Sequence, residues 1–365
     1  MWNWIYIYIF LFSLFLSLIL TKLWRKIALR RSKLDRPSER KIHHMPKPLL
    51  GGVAIYLAFT VTVLVNMAFV FVCLRNPAFS HLLPDTIIGH LRGAPVVWGK
   101  LKIILTGATL MMLLGLLDDL YGVRFRVKLA GQVLLALLLV GFGIRITLFI
   151  PNVYLSGLIT IIWIVGITNA FNLLDNMDGL SAGVGLIATI IFVITALQQG
   201  QLFVATILIA FAGSLAGFLK YNFHPSSIFM GDAGSLFLGY TLASLTVLNT
   251  YYSEQSPTLF PVIMPVLILG VPIFDTFSVI CLRLKSRQSI FKADKRHFSH
   301  RLVSLGMTQR QAVLLVYLVT FCIGINAILL RSVQAWGAFI ILVQAIAIFG
   351  IIVSLELATR KRLDK

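Results

Sequence analysis

The sequence is poor in charged residues, and above all in acidic ones. Only 12% of its 365 residues are charged and 13 are Asp or Glu, whereas 58% are hydrophobic and the mean hydropathy is +0.92. Because a soluble domain carries roughly a quarter of charged residues, this composition predicts a protein that lies in lipid. With only 12 Pro and 27 Gly, the apolar runs are free to continue as long helices. We therefore expect an all-α, polytopic integral membrane protein in which residues 1–365 form a single transmembrane domain.

Cysteine is scarce as well, and its placement excludes two further classes. The three residues are Cys73, Cys281 and Cys322. All three lie in apolar stretches, and none has a CxxC partner. We interpret them as core thiols and expect neither a disulfide framework nor a thiolate metal site.

Eleven apolar stretches are long enough to cross a bilayer, which needs about 20 residues per helix. They lie near 2–24, 51–74, 100–117, 127–144, 154–170, 182–198, 202–219, 235–250, 259–282, 311–330 and 335–356. Basic residues follow the first stretch instead of preceding it, which is the wrong order for a cleaved signal peptide. We therefore expect a retained first helix with the amino end outside and the carboxyl end in the cytoplasm.

This orientation explains the formal charge of +19. The segments that it places inside hold 25 of the 32 Lys and Arg residues, as the positive-inside rule requires. No nucleic-acid partner is needed to explain the charge, so we expect none. The predicted location is a cell membrane, the inner membrane in a two-membrane envelope.

The few carboxylates gather at the same face as the basic residues. Only Asp85 and Glu254 fall outside, and the other acids lie in or near the inner segments. Ionisable groups at membrane depth indicate function by default. Mg²⁺ takes oxygen ligands, typically one or two carboxylates with substrate phosphates and water, and glycine permits close approach of backbone to a phosphate. The inner segments therefore hold the parts that phosphoryl chemistry would require.

Two of these segments are rich in carboxylates. GLLDDLYG contains Asp118 and Asp119, which on a helix point about 100° apart, so we expect them to have two different roles. NAFNLLDNMDGLSAG contains Asn172, Asp175 and Asp178 at spacings of three, which a helical turn would align. A helix-end acid pair and a polar capping turn are the structural alternatives.

A third segment, YNFHPSSIFMGDAGS, combines an acid with glycine. Asp232 follows Gly231, where backbone is able to approach a phosphate. Asn222 and Phe229 offer an amide and a stacking face for a base. A simple loop is the structural alternative.

A fourth segment, FKADKRHFSHRL, is basic and suits phosphate. It contains His297 and His300 at i, i+3, followed by Arg301. A loop that is basic only because it is cytoplasmic is the alternative. Lys128, at the start of the fourth stretch, is either a substrate contact or an interfacial anchor. Asp275, within the ninth stretch, is either catalytic or the buried partner of a basic residue.

These segments, in this order, resemble the polyprenyl-phosphate N-acetylhexosamine-1-phosphate transferase family over essentially the whole chain. The resemblance is strongest to the bacterial undecaprenyl-phosphate N-acetylglucosamine-1-phosphate transferases that initiate teichoic-acid and O-antigen synthesis. It implies transfer of a sugar-1-phosphate from a UDP-sugar to undecaprenyl phosphate at the cytoplasmic face, with Mg²⁺, or Mn²⁺, as the metal. A homodimer is compatible with the family. Another UDP-hexosamine or UDP-MurNAc-pentapeptide is the alternative donor, and an ion-coupled transporter is the alternative class.

The resemblance also implies roles for individual residues. Asp118 and Asp119 match a pair of aspartates, one of which deprotonates or orients the lipid phosphate. Asp232 matches a magnesium-binding aspartate, Asn172 an asparagine near the metal, and Lys128 a basic residue near the substrate cleft. The positions that match nucleotide-lining and histidine-loop residues are Asp175, Asp178, Asn222, Phe229, Gly231, His297, His300 and Arg301.

One position departs from the family pattern, because Ser299 stands where a further histidine is common. Any role that needs a third imidazole is therefore open. The whole interpretation depends on convergence of the inner segments on one diphosphate. We accordingly expect Asp118, Asn172 and Asp232 to lie in one pocket.

Overall fold

The computed structural model describes residues 2–31, 34–35, 46–76, 91, 93–147, 151–249, 251, 256–289 and 297–363, with backbone alone for 34–35 and 356–363. Some residues weighed from the sequence, namely Asp85, Glu254 and the basic positions 295 and 296, lie outside these ranges. Within them, helices follow one another along the chain. Their bounds are α1 Trp2–Arg30, α2 Gly51–Arg75, α3 Ala94–Tyr121, α4 Phe125–Gly141, α5 Val153–Leu174, α6 Leu180–Gln198, α7 Leu202–Asn222, α8 Gly231–Leu248, α9 Met264–Ile268, α10 Gly270–Lys285, α11 Phe298–Ser304, α12 Gln309–Leu329 and α13 Ala335–Leu363.

Two small elements add to the helices. A 3-10 turn, η1, covers Phe260–Ile263, and an antiparallel ribbon pairs β1 (Leu34–Asp35) with β2 (Lys47–Pro48). The ribbon departs from the all-α expectation, although it involves only two residues on each strand. It leads the chain from α1 into the start of α2.

The described helices make this a multi-pass helical membrane protein. Eight of them are long and apolar enough to cross a bilayer, and a bent pair, η1–α9 with α10, raises the number to nine. Helices suit lipid because they satisfy their backbone hydrogen bonds internally. The other two predicted spans correspond to α4, which has 17 residues, and α8, which has 18.

The ninth predicted span is not continuous. Residues 260–268 and α10 meet at an angle of 69°, so the stretch predicted as a span over 259–282 is a bent pair of helices. Pro272 has no N–H to donate to the carbonyl of Ile268, and proline in a helix interior kinks or breaks it. Gly270 and Pro265 weaken the helix further at the same place.

Helix α8 occupies the centre of the bundle. Every residue from Ala233 to Thr246 is buried. Its small residues allow close approach of neighbouring backbones, which is how helices associate in lipid. A Cβ built on Gly52 of α2 would lie 2.1 Å from the nitrogen of Gly234, and one on Gly239 would lie 2.7 Å from Cα of Thr168 in α5. The amino end of α8 is therefore fixed between the helices that surround it.

Candidate active site

Opposite charges meet where three helix ends converge. Asp118 lies near the end of α3, Lys128 in the first turn of α4 and Asp232 in the first turn of α8. Lys128 Nζ lies 2.7 Å from Asp118 Oδ2 and 2.6 Å from Asp232 Oδ2. From the end of α5, Asn172 Nδ2 donates to Asp232 Oδ1 at 3.0 Å and to Ser235 Oγ at 2.9 Å. The predicted convergence of Asp118, Asn172 and Asp232 is thereby confirmed.

A tight turn between α3 and α4 brings Lys128 back to Asp118. Helix α3 ends at Gly122, whose φ of +71° is the left-handed conformation that glycine adopts readily. The N–H of Gly122 donates to the carbonyl of Asp118 at 2.9 Å, and the N–H of Val123 donates to Asp118 Oδ1 at 2.7 Å. The turn thus orients the carboxylate of Asp118 towards the start of α4.

Asp119 points elsewhere and caps the amino end of α8. Its Oδ1 accepts the N–H of Asp232 at 2.8 Å and its Oδ2 accepts the N–H of Ala233 at 2.9 Å. A carboxylate is favoured there by the unpaired N–H groups and by the helix dipole. The two adjacent acids therefore make different contacts, as expected. The predicted catalytic role of Asp119 stays a prediction.

Asp175 lies in the turn after α5 and is half-buried. Burial raises the pKa of its carboxyl well above the usual range, and the charges of Asp232, Asp119 and Asp178 raise it further. It accepts no hydrogen bond from the residues that the structure describes. Its oxygens are therefore available to a ligand or a cation.

Asp178, by contrast, is fully engaged inside the protein. Its oxygens lie 3.2 and 3.4 Å from Lys47 Nζ, 2.7 Å from Ser226 Oγ, 3.0 Å from the N–H of Ser226 and 3.0 Å from His224 Nδ1. Burial alone would raise the pKa of Asp178, but the bonds from Ser226 and Lys47 lower it below the usual value. Asp178 therefore joins the α5–α6 turn to the α7–α8 loop and to β2.

The side chain of Asn222 contacts backbone in the structure, and its predicted contact with a base stays a prediction. The side chain is 2% exposed, its Oδ1 accepts the N–H of Gly179 at 3.1 Å, and its Nδ2 donates to the carbonyl of Ile228 at 2.9 Å. Both amide atoms are thus used on backbone. Phe229 remains half-buried, with Lys47 Nζ 5.0 Å from its ring centroid, in the range of a cation–π contact. Its predicted stacking role stays a prediction.

The histidine segment docks through its own buried contacts. His297 Nδ1 lies 2.9 Å from Asp275 Oδ2, so Asp275 is the buried partner of a basic residue, one of the two alternatives that the sequence left open. Ser299 Oγ donates to Asn176 Oδ1 at 2.6 Å, so this residue links α11 to the turn that carries Asp175.

The two remaining histidine-loop residues differ in exposure. The ring of His300 is half-buried and lies 6.4 Å from that of His297, centroid to centroid. Arg301 is 6% exposed and donates to Ser278 Oγ at 3.0 Å. Its guanidinium is therefore packed against α10, whereas His300 is the more accessible of the two.

The donor set fits a hard divalent cation. Among the described residues, no three His, Cys, Asp or Glu side chains are arranged to hold a metal by themselves. Mg²⁺ does not require such a cage, because it binds one or two carboxylates together with substrate phosphates and water. Asp118 and Asp232 already bracket one cationic nitrogen within 2.7 Å, and the carboxyl of Asp175 is close enough to Asp232 for the two groups to interact electrostatically.

Sequence reasoning missed Lys47, which contacts Asp178 and Ser226. The available signal was a lysine between two prolines, with two residues between the second proline and a glycine pair, Gly51 and Gly52. Those glycines donate to the carbonyls of residues 229 and 230, which brings Lys47 to the site.

Comparisons with known proteins identify a family and several relatives of this chain. A family described as "Glycosyl transferase family 4" matches residues 101–250. The chain is 36% identical over 343 residues to a probable undecaprenyl-phosphate N-acetylglucosaminyl 1-phosphate transferase of Bacillus subtilis (strain 168), covering 92% of this chain and 87% of that protein. It is 32% identical over 361 residues to a decaprenyl-phosphate N-acetylglucosaminephosphotransferase of Mycobacterium leprae (strain TN), covering 92% and 86%. It is 33% identical over 247 residues to a phospho-N-acetylmuramoyl-pentapeptide-transferase of Thermoanaerobacter sp. (strain X514), covering 61% and 74%.

Fold and site together define a polytopic membrane enzyme whose polar centre is built from helix ends. On the identity and coverage given above, the chain belongs to the polyprenyl-phosphate N-acetylhexosamine-1-phosphate transferase family. The resemblance that the motifs carried is thereby confirmed. The comparisons give no support to an ion-coupled transporter.

Proposed function

We propose that the protein transfers N-acetylglucosamine-1-phosphate from UDP-N-acetylglucosamine to undecaprenyl phosphate and releases UMP. The observation that carries the proposal is the pair of carboxylates on Asp118 and Asp232, bridged by Lys128 beside Asn172. The names of two relatives support the substrates, since they specify an undecaprenyl or decaprenyl phosphate and an N-acetylglucosamine group.

In this reaction an oxygen of the lipid phosphate attacks the β-phosphorus of the donor. A new P–O bond forms, the bond to the bridging oxygen breaks, and UMP leaves with that oxygen. The second pKa of a phosphate monoester is about 6, so the nucleophile is already largely ionised at neutral pH and positioning outweighs proton removal. Lys128 supplies positive charge for the phosphates, and Asp118 and Asp232 hold its ammonium in place.

The metal in this proposal is Mg²⁺, with Mn²⁺ as a substitute. Asp232 would hold it, with the carbonyl oxygen of Asn172 as a further ligand. Bound there, it would offset charge on the leaving phosphate. Asp119 contributes indirectly, because it fixes the helix end from which Asp232 projects.

The proposed location is the cytoplasmic side of a bacterial inner membrane, with the amino end outside. Eleven crossings follow if α4, α8 and the bent pair each cross once, in addition to the eight long helices. The concentration of Lys and Arg in the inner segments supports this orientation. A homodimer, as the family allows, completes the proposal.

A panel of UDP-sugars with undecaprenyl phosphate tests the function. Purified protein in detergent is incubated with UDP-N-acetylglucosamine, a second UDP-hexosamine or UDP-MurNAc-pentapeptide, and UMP release is measured. We expect release from the first donor, loss of release with EDTA, and recovery with Mg²⁺ or Mn²⁺. Asp232→Asn, which keeps the side-chain volume, is the inactive reference.

The outcomes separate the alternatives. UMP release from none of the donors by folded protein refutes the proposal. Preference for UDP-MurNAc-pentapeptide would favour the second candidate, which the 33% identity to a phospho-N-acetylmuramoyl-pentapeptide-transferase keeps open. Undiminished UMP release after chelation would refute the proposed metal requirement but not the proposed transfer reaction.

A further inference from the structure

The carboxylate of Asp275 is buried within an apolar helix, and the chemistry above does not use it. It lies in α10 and is 1% exposed. A buried charge is costly unless hydrogen bonds compensate it, and here both oxygens are engaged. Oδ2 lies 2.9 Å from His297 Nδ1, and Oδ1 accepts the N–H of Phe298. The side chain of Asp275 therefore links α10 to the segment that begins α11.

These contacts determine how the imidazole of His297 is used. A ring nitrogen that faces a carboxylate carries its proton, which sets the role of the other nitrogen. Nδ1 is accordingly the donor to Asp275, and Nε2 is the ring atom left for a further partner. The ring is itself buried, with 5% of His297 exposed, so neighbouring side chains also restrain its orientation.

A second contact holds α11 against the turn that carries Asp175. Ser299 Oγ donates to Asn176 Oδ1 at 2.6 Å, and Ser299 is 1% exposed. Asn176 directly follows Asp175, and the charge of Asp232 raises the pKa of the Asp175 carboxyl. Helix α11 is therefore held between α10 and the turn that carries Asp175.

We propose that Asp275 is a positioning residue for the transfer reaction, which holds His297 so that Nε2 meets a phosphate oxygen of the bound nucleotide-sugar. The inference rests on the proposed function and deepens it. On this proposal Asp275 orients the ring of His297, and Asp275→Asn is enough to disturb that orientation. It also gives His297 a ligand of defined chemistry, the diphosphate.

Turnover of four proteins tests the dependence of Asp275 on His297. They are the wild type, Asp275→Asn, His297→Gln and the double variant. A hydrogen bond to a charged group predicts that Asp275→Asn lowers kcat by about 10- to 100-fold, with less change in the KM of the donor. In the His297→Gln background the same substitution is expected to have less than about a twofold further effect, because residues that act through one contact are not additive.

Thr276→Val is the matched control on the same helix. Among the residues that the structure describes, the hydroxyl of Thr276 bonds only to the carbonyl of Pro272, at 2.9 Å, one turn before it. We expect wild-type turnover and a similar melting temperature. A wild type that releases no UMP refutes the proposed function and the inference with it. An active wild type with an unaffected Asp275→Asn variant, or with additive losses in the double variant, refutes the inference alone.

Two substitutions of His297, to Asn and to Gln, test the role of its Nε2 atom even if Asp275→Asn does not fold. His297→Asn retains a donor where Nδ1 stands and removes the Nε2 edge, so we expect a loss of about 10- to 100-fold. Wild-type turnover of that variant would show that docking on Asp275 is all that His297 does. In protein labelled with ¹⁵N-histidine, the signals lost in His297→Gln are expected to report a protonated Nδ1. An unprotonated Nδ1 would also overturn the proposal.

Discussion

Substitution of Gly231 by alanine should separate helix α8 from its cap. Gly231 has a φ of +70°, and an added Cβ would lie 2.6 Å from Asp119 Oδ2, against the 3.4 Å of ordinary contact. The left-handed conformation costs alanine about 1–2 kcal/mol. If the carboxylate withdraws by the missing distance, its bonds of 2.8 and 2.9 Å to α8 pass the ~3.2 Å limit for N–H···O contacts. Loss of a bond to a charged acceptor adds about 1.5–3 kcal/mol, so the variant should lose about 2.5–5 kcal/mol of unfolding free energy.

The matched control is Gly200→Ala. Gly200 has a φ of +66° with nothing within 4 Å of an added Cβ, and it lies in the α6–α7 turn, away from the carboxylates. It should therefore lose only the backbone contribution of about 1–2 kcal/mol and keep full turnover. Thermal unfolding in detergent and UMP release are measured for both variants. Because Asp232 would be displaced, turnover of Gly231→Ala should fall by about 100-fold. Equal losses of unfolding free energy in Gly231→Ala and Gly200→Ala would refute the argument that Asp119 caps α8.

Two further predictions concern the acids and the missed lysine. Asp119→Asn should lower the unfolding free energy by about 1–3 kcal/mol, because its amide leaves one N–H of α8 unsatisfied. Asp118→Asn should reduce turnover with a smaller drop in melting temperature, since its remaining oxygen still accepts the N–H of Val123. A larger drop in melting temperature for Asp118→Asn than for Asp119→Asn would contradict these contacts. Lys47→Met should raise the KM of the donor about tenfold. The substitution removes the ammonium beside Asp178, whereas Ser226 still donates to the carboxylate of Asp178 and keeps it in place. Unchanged donor kinetics would exclude Lys47 from the nucleotide site.

The convergence of the polar segments was predictable because the chain has so few acids. In a sequence with 13 acidic residues, each one near an inner helix end is conspicuous. The positions of Asp118, Asn172 and Asp232 could therefore be inferred without knowledge of how the helices pack.

The directions of individual side chains could not be inferred in this way. Which of Asp118 and Asp119 faces α8 depends on the rotation of α3 about its axis, and that rotation is set by contacts such as Gly115 against the carbonyl of Asp232. These contacts join residues more than a hundred positions apart. Asn222 illustrates the same limit, because a buried amide and a ligand-binding amide have the same appearance in a sequence.

The adjacent aspartates explain how a lipid-embedded site is kept rigid without a soluble domain. Asp118 fixes the ammonium of Lys128, and Asp119, on the next residue of the same helix, fixes the amino end of α8. Because both carboxylates belong to one helical turn, any movement of α3 shifts the cation and Asp232 together and preserves their separation. The distance of 2.6 Å between Lys128 Nζ and Asp232 Oδ2 is thus set by helix ends and by the tight turn after α3, and sites built on helices are more precise than sites on long loops. An insertion that separates Asp118 from Asp119 should therefore be more damaging than either single substitution.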